Sequence, residues 1–216
     1  MPAFADSPAA FLAELVLKIP ALLLAVTIHE LAHGLVADRL GDPTARRAGR
    51  LTLNPLPHLD PLGALAFVLA GFGWARPVPV DIRYLRRPMR DMAWIAAAGP
   101  LANFVTGFVG LVALLSVRGS GLPTTLAEPI AGMCLWTFQF NVALGIFNLI
   151  PLPPLDGGHF LPYLLPAAAA GVLRRLEQYG PLLLLVLVVS GATRYLIGPL
   201  FNLVVQAYVW LVRLLL

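Results

Sequence analysis

The chain has 216 residues, 59% of them hydrophobic and only 12% charged, about half the charged share of an average soluble domain. Fifteen cations against 11 acids leave a net charge of +4, but no basic run alternates with aromatics, which argues against a nucleic-acid partner. Cys134 is the only cysteine, so an internal disulfide and a cysteine-based metal site are excluded; the composition is that of a membrane protein.

MPAFADSPAA at the N-terminus has an aspartate and no cation before the first apolar run, unlike a secretory signal peptide, so that run is expected to be retained. A bilayer-spanning helix needs about 20 mostly apolar residues, and three segments qualify: 11–37, 92–117 and 126–150. Between the first two, residues 62–75 are apolar but short, which favours a re-entrant or interfacial element. In the ARPVPVDIRYLRRP that follows, valines alternate with prolines, as in a short edge strand or an extended segment. Toward the C-terminus, 181–190 is short and 199–216 follows a Gly198-Pro199 break. One broken span, two spans, or a span plus an interfacial helix all fit. The expected fold is an all-α polytopic helical bundle of four to six transmembrane segments. It forms a single membrane-embedded domain over 1–216, with a core at 11–160 and C-terminal helices at 161–216.

Nine of the 15 cations, Arg39, Arg46, Arg47, Arg50, Arg76, Arg83, Arg86, Arg87 and Arg90, fall between the first and second spans; the next connection has only Arg118. The positive-inside rule then places 39–91 in the cytoplasm, and Arg174 and Arg175 after the third span agree.

TIHELAHG closes the first span. On a helix, His29 and His33 project from one face a turn apart, close enough to share a tetrahedral metal, while Glu30 reaches a metal-bound water without ligating. Ionisable groups inside a span are expensive and point to function. A catalytic zinc shell takes three protein ligands, and the candidates for the third are His58 and Asp60 in NPLPHLDP, and Asp156 and His159 in NLIPLPPLDGGHF. All four lie on the side where the first span ends. Pro151, Pro153 and Pro154 hold their segment extended, and Gly157-Gly158 permits a sharp turn after Asp156.

His29-Glu30-Leu31-Ala32-His33 together with NLIPLPPLDG at 148–157 resembles the site-2 protease family of intramembrane zinc metalloproteases, in its compact form without a PDZ domain. GPLANF at 99–104, the Leu40-Gly41-Asp42 turn and GFGWARPVPV are similar to stretches of the same family. The resemblance implies one Zn2+ per chain on His29, His33 and Asp156, with Glu30 as general base. It implies substrate-binding roles for Asn148, Pro151 and Pro153. It also implies hydrolysis of single-span membrane proteins in or near their transmembrane segments, from the cytoplasmic side of the plasma membrane. Two rivals are a metal transporter, which needs ligands staged across the bilayer, and an inactive membrane-protein binding module, which would have lost Glu30 or a ligand.

Overall fold

The computed structural model describes residues 7–70, 73–160 and 170–215. They form α1 (Pro8–Arg39), α2 (Thr44–Arg47), α3 (Pro61–Ala70), α4 (Pro88–Gly119), α5 (Thr124–Asn148), α6 (Ala170–Val189) and α7 (Thr193–Leu215), with no β-strand among the described residues. Four helices, α1, α4, α5 and α7, are long and apolar enough to cross a bilayer, the lower end of the expected range.

α1, α4 and α5 pack against one another, and α7 closes on α5. The pattern on α4 shows how lipid changes the choice of interface. Leu101, Val105 and Val109, spaced four apart, are 56–66% exposed, while Gly99, Asn103, Gly107 and Gly110 are buried. Lipid solvates leucine as well as another helix does, so small residues that allow close backbone approach select the contact. A Cβ on Gly107 would stand 2.9 Å from Val142 Cγ2, and one on Gly110 2.9 Å from the Phe138 backbone nitrogen. Leu111, Leu114, Phe138, Val142, Ile146 and Tyr208 fill the core beside this contact. Tyr208 Oη donates to the Phe104 carbonyl at 2.5 Å, tying α7 to α4.

α1 stops at the Leu40-Gly41-Asp42 turn. Gly41 takes a φ of +110°, which a side chain would resist, and the Asp42 N–H returns to the Ala37 carbonyl at 3.0 Å. The buried Asp42 carboxylate then accepts from Thr44 N at 2.9 Å and from Asp81 N at 2.7 Å, which fastens the end of α1 to the segment leading into α4.

Of the apolar element expected at 62–75, residues 61–70 form α3, ten residues and too short to span; 71–72 lie outside the described residues. Residues 75–80 run extended without joining a sheet. A single antiparallel bridge links Ala75 to Leu59, with Arg76 N–H donating to the His58 carbonyl at 2.9 Å. Of the two forms expected there, the extended segment is the one present.

The C-terminal break is displaced from its expected position. α7 runs unbroken through Gly198-Pro199, and the chain turns instead at 190–192, where Gly191 has a φ of +71°. A buried or lipid-facing helix tolerates an internal proline, whereas a left-handed glycine just past a helix end stops it. α6 carries Arg174, Arg175 and Glu177 in its first half, leaving only its second half apolar, so α7 alone of this pair has the character of a span.

Candidate metal centre

His29 and His33 lie on α1, both buried, with their Nε2 atoms 3.0 Å apart. Asp156 enters from the 3-10 turn Asp156–Phe160 after α5, and its Oδ2 lies 3.1 Å from His29 Nε2 and 3.2 Å from His33 Nε2. A tetrahedral zinc shell with arms of about 2.0–2.1 Å has donor-to-donor edges of about 3.3 Å, so these three atoms nearly trace one face of such a shell.

The hydrogen bonds explain why that face needs a cation. Nδ1 of His33 is 2.7 Å from the Ile95 carbonyl, which only accepts, so in the neutral ring Nδ1 carries the hydrogen. Nδ1 of His29 is 2.6 Å from Asn103 Oδ1, with the same consequence. Both Nε2 atoms therefore present lone pairs to each other and to a carboxylate oxygen, Asp156 Oδ2, that is buried without a donor. Three inward lone pairs within about 3 Å could hold a cation by their chemistry.

Local sequence builds this geometry. A Cβ on Gly99 would come within 2.4 Å of His33 Nε2 and 2.6 Å of His29 Cε1, so α4 meets the histidines only through a glycine. Pro100 has no N–H for the Ala96 carbonyl and its ring opens that turn, next to the Ile95 carbonyl that receives His33. Gly99 and Asn103 are four apart and so share the face toward α1. In the loop, Cβ atoms on Gly157 and Gly158 would meet the Ile150 carbonyl oxygen at 2.3 Å and Pro153 N at 2.7 Å. Only glycines let the chain fold back beneath α5 and hold Asp156 under the histidines.

Glu30 stands outside the triangle. Its Oε2 accepts from Val78 N–H at 2.8 Å, and Oε1 has no hydrogen bond within the described protein. The extended segment is pinned in turn by Arg50, whose buried guanidinium donates to the Arg76 carbonyl at 2.6 Å and the Pro77 carbonyl at 3.0 Å. A cavity of about 350 Å³ opens over the site, walled by Val78, Val80, Met92, Ile95 and Ala96 and edged by Asn148, Pro154 and His159.

The other sequence candidates fall as follows. Asn148 borders the cavity with its Nδ2 donating to the Leu144 carbonyl at 3.0 Å. Pro151 is exposed, Pro153 packs against Gly158 and Gly180, and neither lines the cavity; Pro154 does. His58, beside the bridge already noted, is buried apart from the triangle with Nε2 3.0 Å from the Thr52 carbonyl. Asp60 caps α3 through Gly63 N–H at 2.8 Å. His29, His33 and Asp156 are the one group of three His, Cys, Asp or Glu donors that converges among the described residues.

The sequence profile of peptidase family M50 matches residues 18–134 and 124–190. YwhC of Bacillus subtilis, named as a candidate zinc metalloprotease, is 40% identical over 185 residues, covering 84% of each chain. Rip2 of Mycolicibacterium smegmatis, named likewise, is 31% identical over 199 residues, 86% of this chain and 71% of its own. MJ0611 of Methanocaldococcus jannaschii, also so named, is 28% identical over 135 residues, 62% of this chain and 63% of its own. No solved structure matches. With the profile extending from α1 through the loop that carries Asp156 and into α6, the chain belongs to peptidase family M50, the site-2 protease family.

Proposed function

We propose that the chain is an intramembrane zinc metalloprotease that hydrolyses peptide bonds in or near transmembrane segments of other membrane proteins. The reading rests on the buried triangle of lone pairs on His29, His33 and Asp156, set near the end of a helix long enough to span a bilayer. These residues would hold one Zn2+ per chain, which supplies Lewis acidity toward the scissile carbonyl and lowers the pKa of water.

Glu30 does the proton work. Its Oε2 is held by Val78, so Oε1 faces the reacting water in one orientation; it takes the proton as the water oxygen adds to the carbonyl carbon. The same proton passes to the amide nitrogen as the C–N bond breaks. Val78, Val80, Met92 and Ile95 offer apolar walls suited to the side chains of an unwound transmembrane segment. Asn148, at the cavity edge, is placed to hydrogen-bond a substrate backbone; the segment after it is not the extended one expected of its prolines but turns tightly, with Leu152 N–H on the Ile150 carbonyl at 2.7 Å and Leu155 N–H on the Leu152 carbonyl at 2.9 Å.

The cations between α1 and α4 favour a site opening toward the cytoplasm, in the plasma membrane, within one domain over 1–216. The test is cleavage of a single-span substrate in proteoliposomes with metal content measured alongside. Zinc lost from Asp156→Ala supports the ligand set; zinc retained there but lost from His58→Ala or His159→Ala overturns it.

A further inference from the structure

We propose that Asn103 and Asn141 form a buried amide relay that sets the tautomer of His29 and thereby directs its Nε2 lone pair at the metal. This rests on the metal site proposed above. Asn103 and Asn141 are both 0% exposed, on α4 and α5, with no solvent to satisfy them. Asn103 Oδ1 lies 2.6 Å from His29 Nδ1, and Asn103 Nδ2 lies 2.8 Å from Asn141 Oδ1 and 3.0 Å from the Ala25 carbonyl. Asn141 Nδ2 lies 2.8 Å from the Thr137 carbonyl.

An amide can point either way, but this chain of bonds has one consistent polarity. The Thr137 and Ala25 carbonyls only accept. Asn141 must therefore turn its NH2 to Thr137 and its oxygen to Asn103. Asn103 must meet that oxygen, and the Ala25 carbonyl, with its NH2, which leaves its oxygen for His29. Nδ1 of His29 must then be the N–H, and Nε2 the lone pair. His33 is polarised separately, through the Ile95 carbonyl. The relay joins three helices, with Ala25 and His29 on α1, Asn103 on α4, and Asn141 and Thr137 on α5. It makes Asn103 and Asn141 positioning residues, with Asn141 acting two bonds away from the ligand.

Asn141→Leu removes one of the two acceptors that fix the Asn103 NH2 and leaves the Ala25 carbonyl alone to oppose reversal of the amide; in the fraction that reverses, the NH2 meets Nδ1, which favours a hydrogen on Nε2 and competes with metal. Asn141→Asp restores the pattern, because a carboxyl group buried there is neutral, with an O–H for Thr137 and a C=O for Asn103.

The experiment uses the full-length, ring-15N-histidine-labelled protein, whose four histidines give a resolvable spectrum, together with zinc affinity by chelator competition. In the metal-free wild type, His29 is expected as the Nδ1–H tautomer; an Nε2–H form there overturns the proposal without any variant. Asn141→Leu should weaken zinc binding by about 10-fold, the lower end for a group supporting a metal ligand, and move the His29 Nδ1 resonance most, while His33 Nδ1 stays protonated against the Ile95 carbonyl. Asn141→Asp should recover wild-type affinity. Equal shifts at both histidines, or unchanged affinity in Asn141→Leu, overturn the relay. Should Asp156→Ala and His33→Ala leave zinc bound, the metal site itself falls; should they release it while Asn141→Leu does not, the relay alone falls.

Discussion

Gly99 gives the most quantitative handle on the site. An alanine methyl there would stand 2.4 Å from His33 Nε2, 2.6 Å from His29 Cε1 and 2.7 Å from His33 Cε1. Ordinary contacts of this kind lie at about 3.5 Å or more, so each ring must retreat by close to an ångström. Neither can do so freely, because Nδ1 of each is held, by Asn103 and by the Ile95 carbonyl. Overpacking of this type costs about 1–3 kcal/mol, and here it falls on both candidate ligand rings, at His33 Nε2 itself and at His29 Cε1 beside Nε2. Gly99→Ala should therefore bind zinc about 5- to 150-fold more weakly, since 1.4 kcal/mol is a factor of about ten. Chelator competition in detergent measures this, with circular dichroism confirming helix content. Gly119→Ala, at a position with nothing within 4 Å, serves as control and should bind as the wild type does. Wild-type zinc affinity in Gly99→Ala would refute the placement of the histidines against α4.

Arg50→Leu removes the donors that hold the Arg76 and Pro77 carbonyls; it should retain zinc while 75–80 becomes more open to limited proteolysis and cleavage of substrate slows, as measured by digestion and turnover. Zinc affinity should fall as pH falls, because all three donors must be deprotonated to ligate; titration with a chelator at fixed zinc follows it, and a flat profile counts against the donor set. Residues 39–61 and 151–158 should label from the same, cytoplasmic side in a Cys134→Ser background, and labelling from opposite faces contradicts the orientation.

The chemistry of the site was legible because it is expensive. His29, Glu30 and His33 interrupt an apolar run, and the Asp-Gly-Gly turn after three prolines has no place in an ordinary helix exit, so both stand out against the background. The first three spans were legible by length alone. Asn103 and Asn141 were not read as support for the metal, although a buried asparagine in a span is itself a signal; its partner depends on which faces of α4 and α5 meet, and glycines rather than large apolar residues decide that. Arg50 was read as one of nine charges marking the cytoplasmic side, and its distinct role appears only when the Arg76 and Pro77 carbonyls are seen beside it. The C-terminal turn was misplaced because Gly198-Pro199 looks like a stronger breaker than Gly191, yet a proline within a membrane helix costs little when its neighbours re-satisfy the backbone.

If Glu30 is the base and His29, His33 and Asp156 are the metal ligands, removing the carboxylate must abolish turnover and spare the metal, and one sample reports both. Purified Glu30→Gln in proteoliposomes should contain about one zinc per chain, as wild type does, and cleave a single-span substrate at least about 100-fold more slowly. Cleavage at the wild-type rate, or loss of the zinc with the carboxylate, would contradict that division of roles.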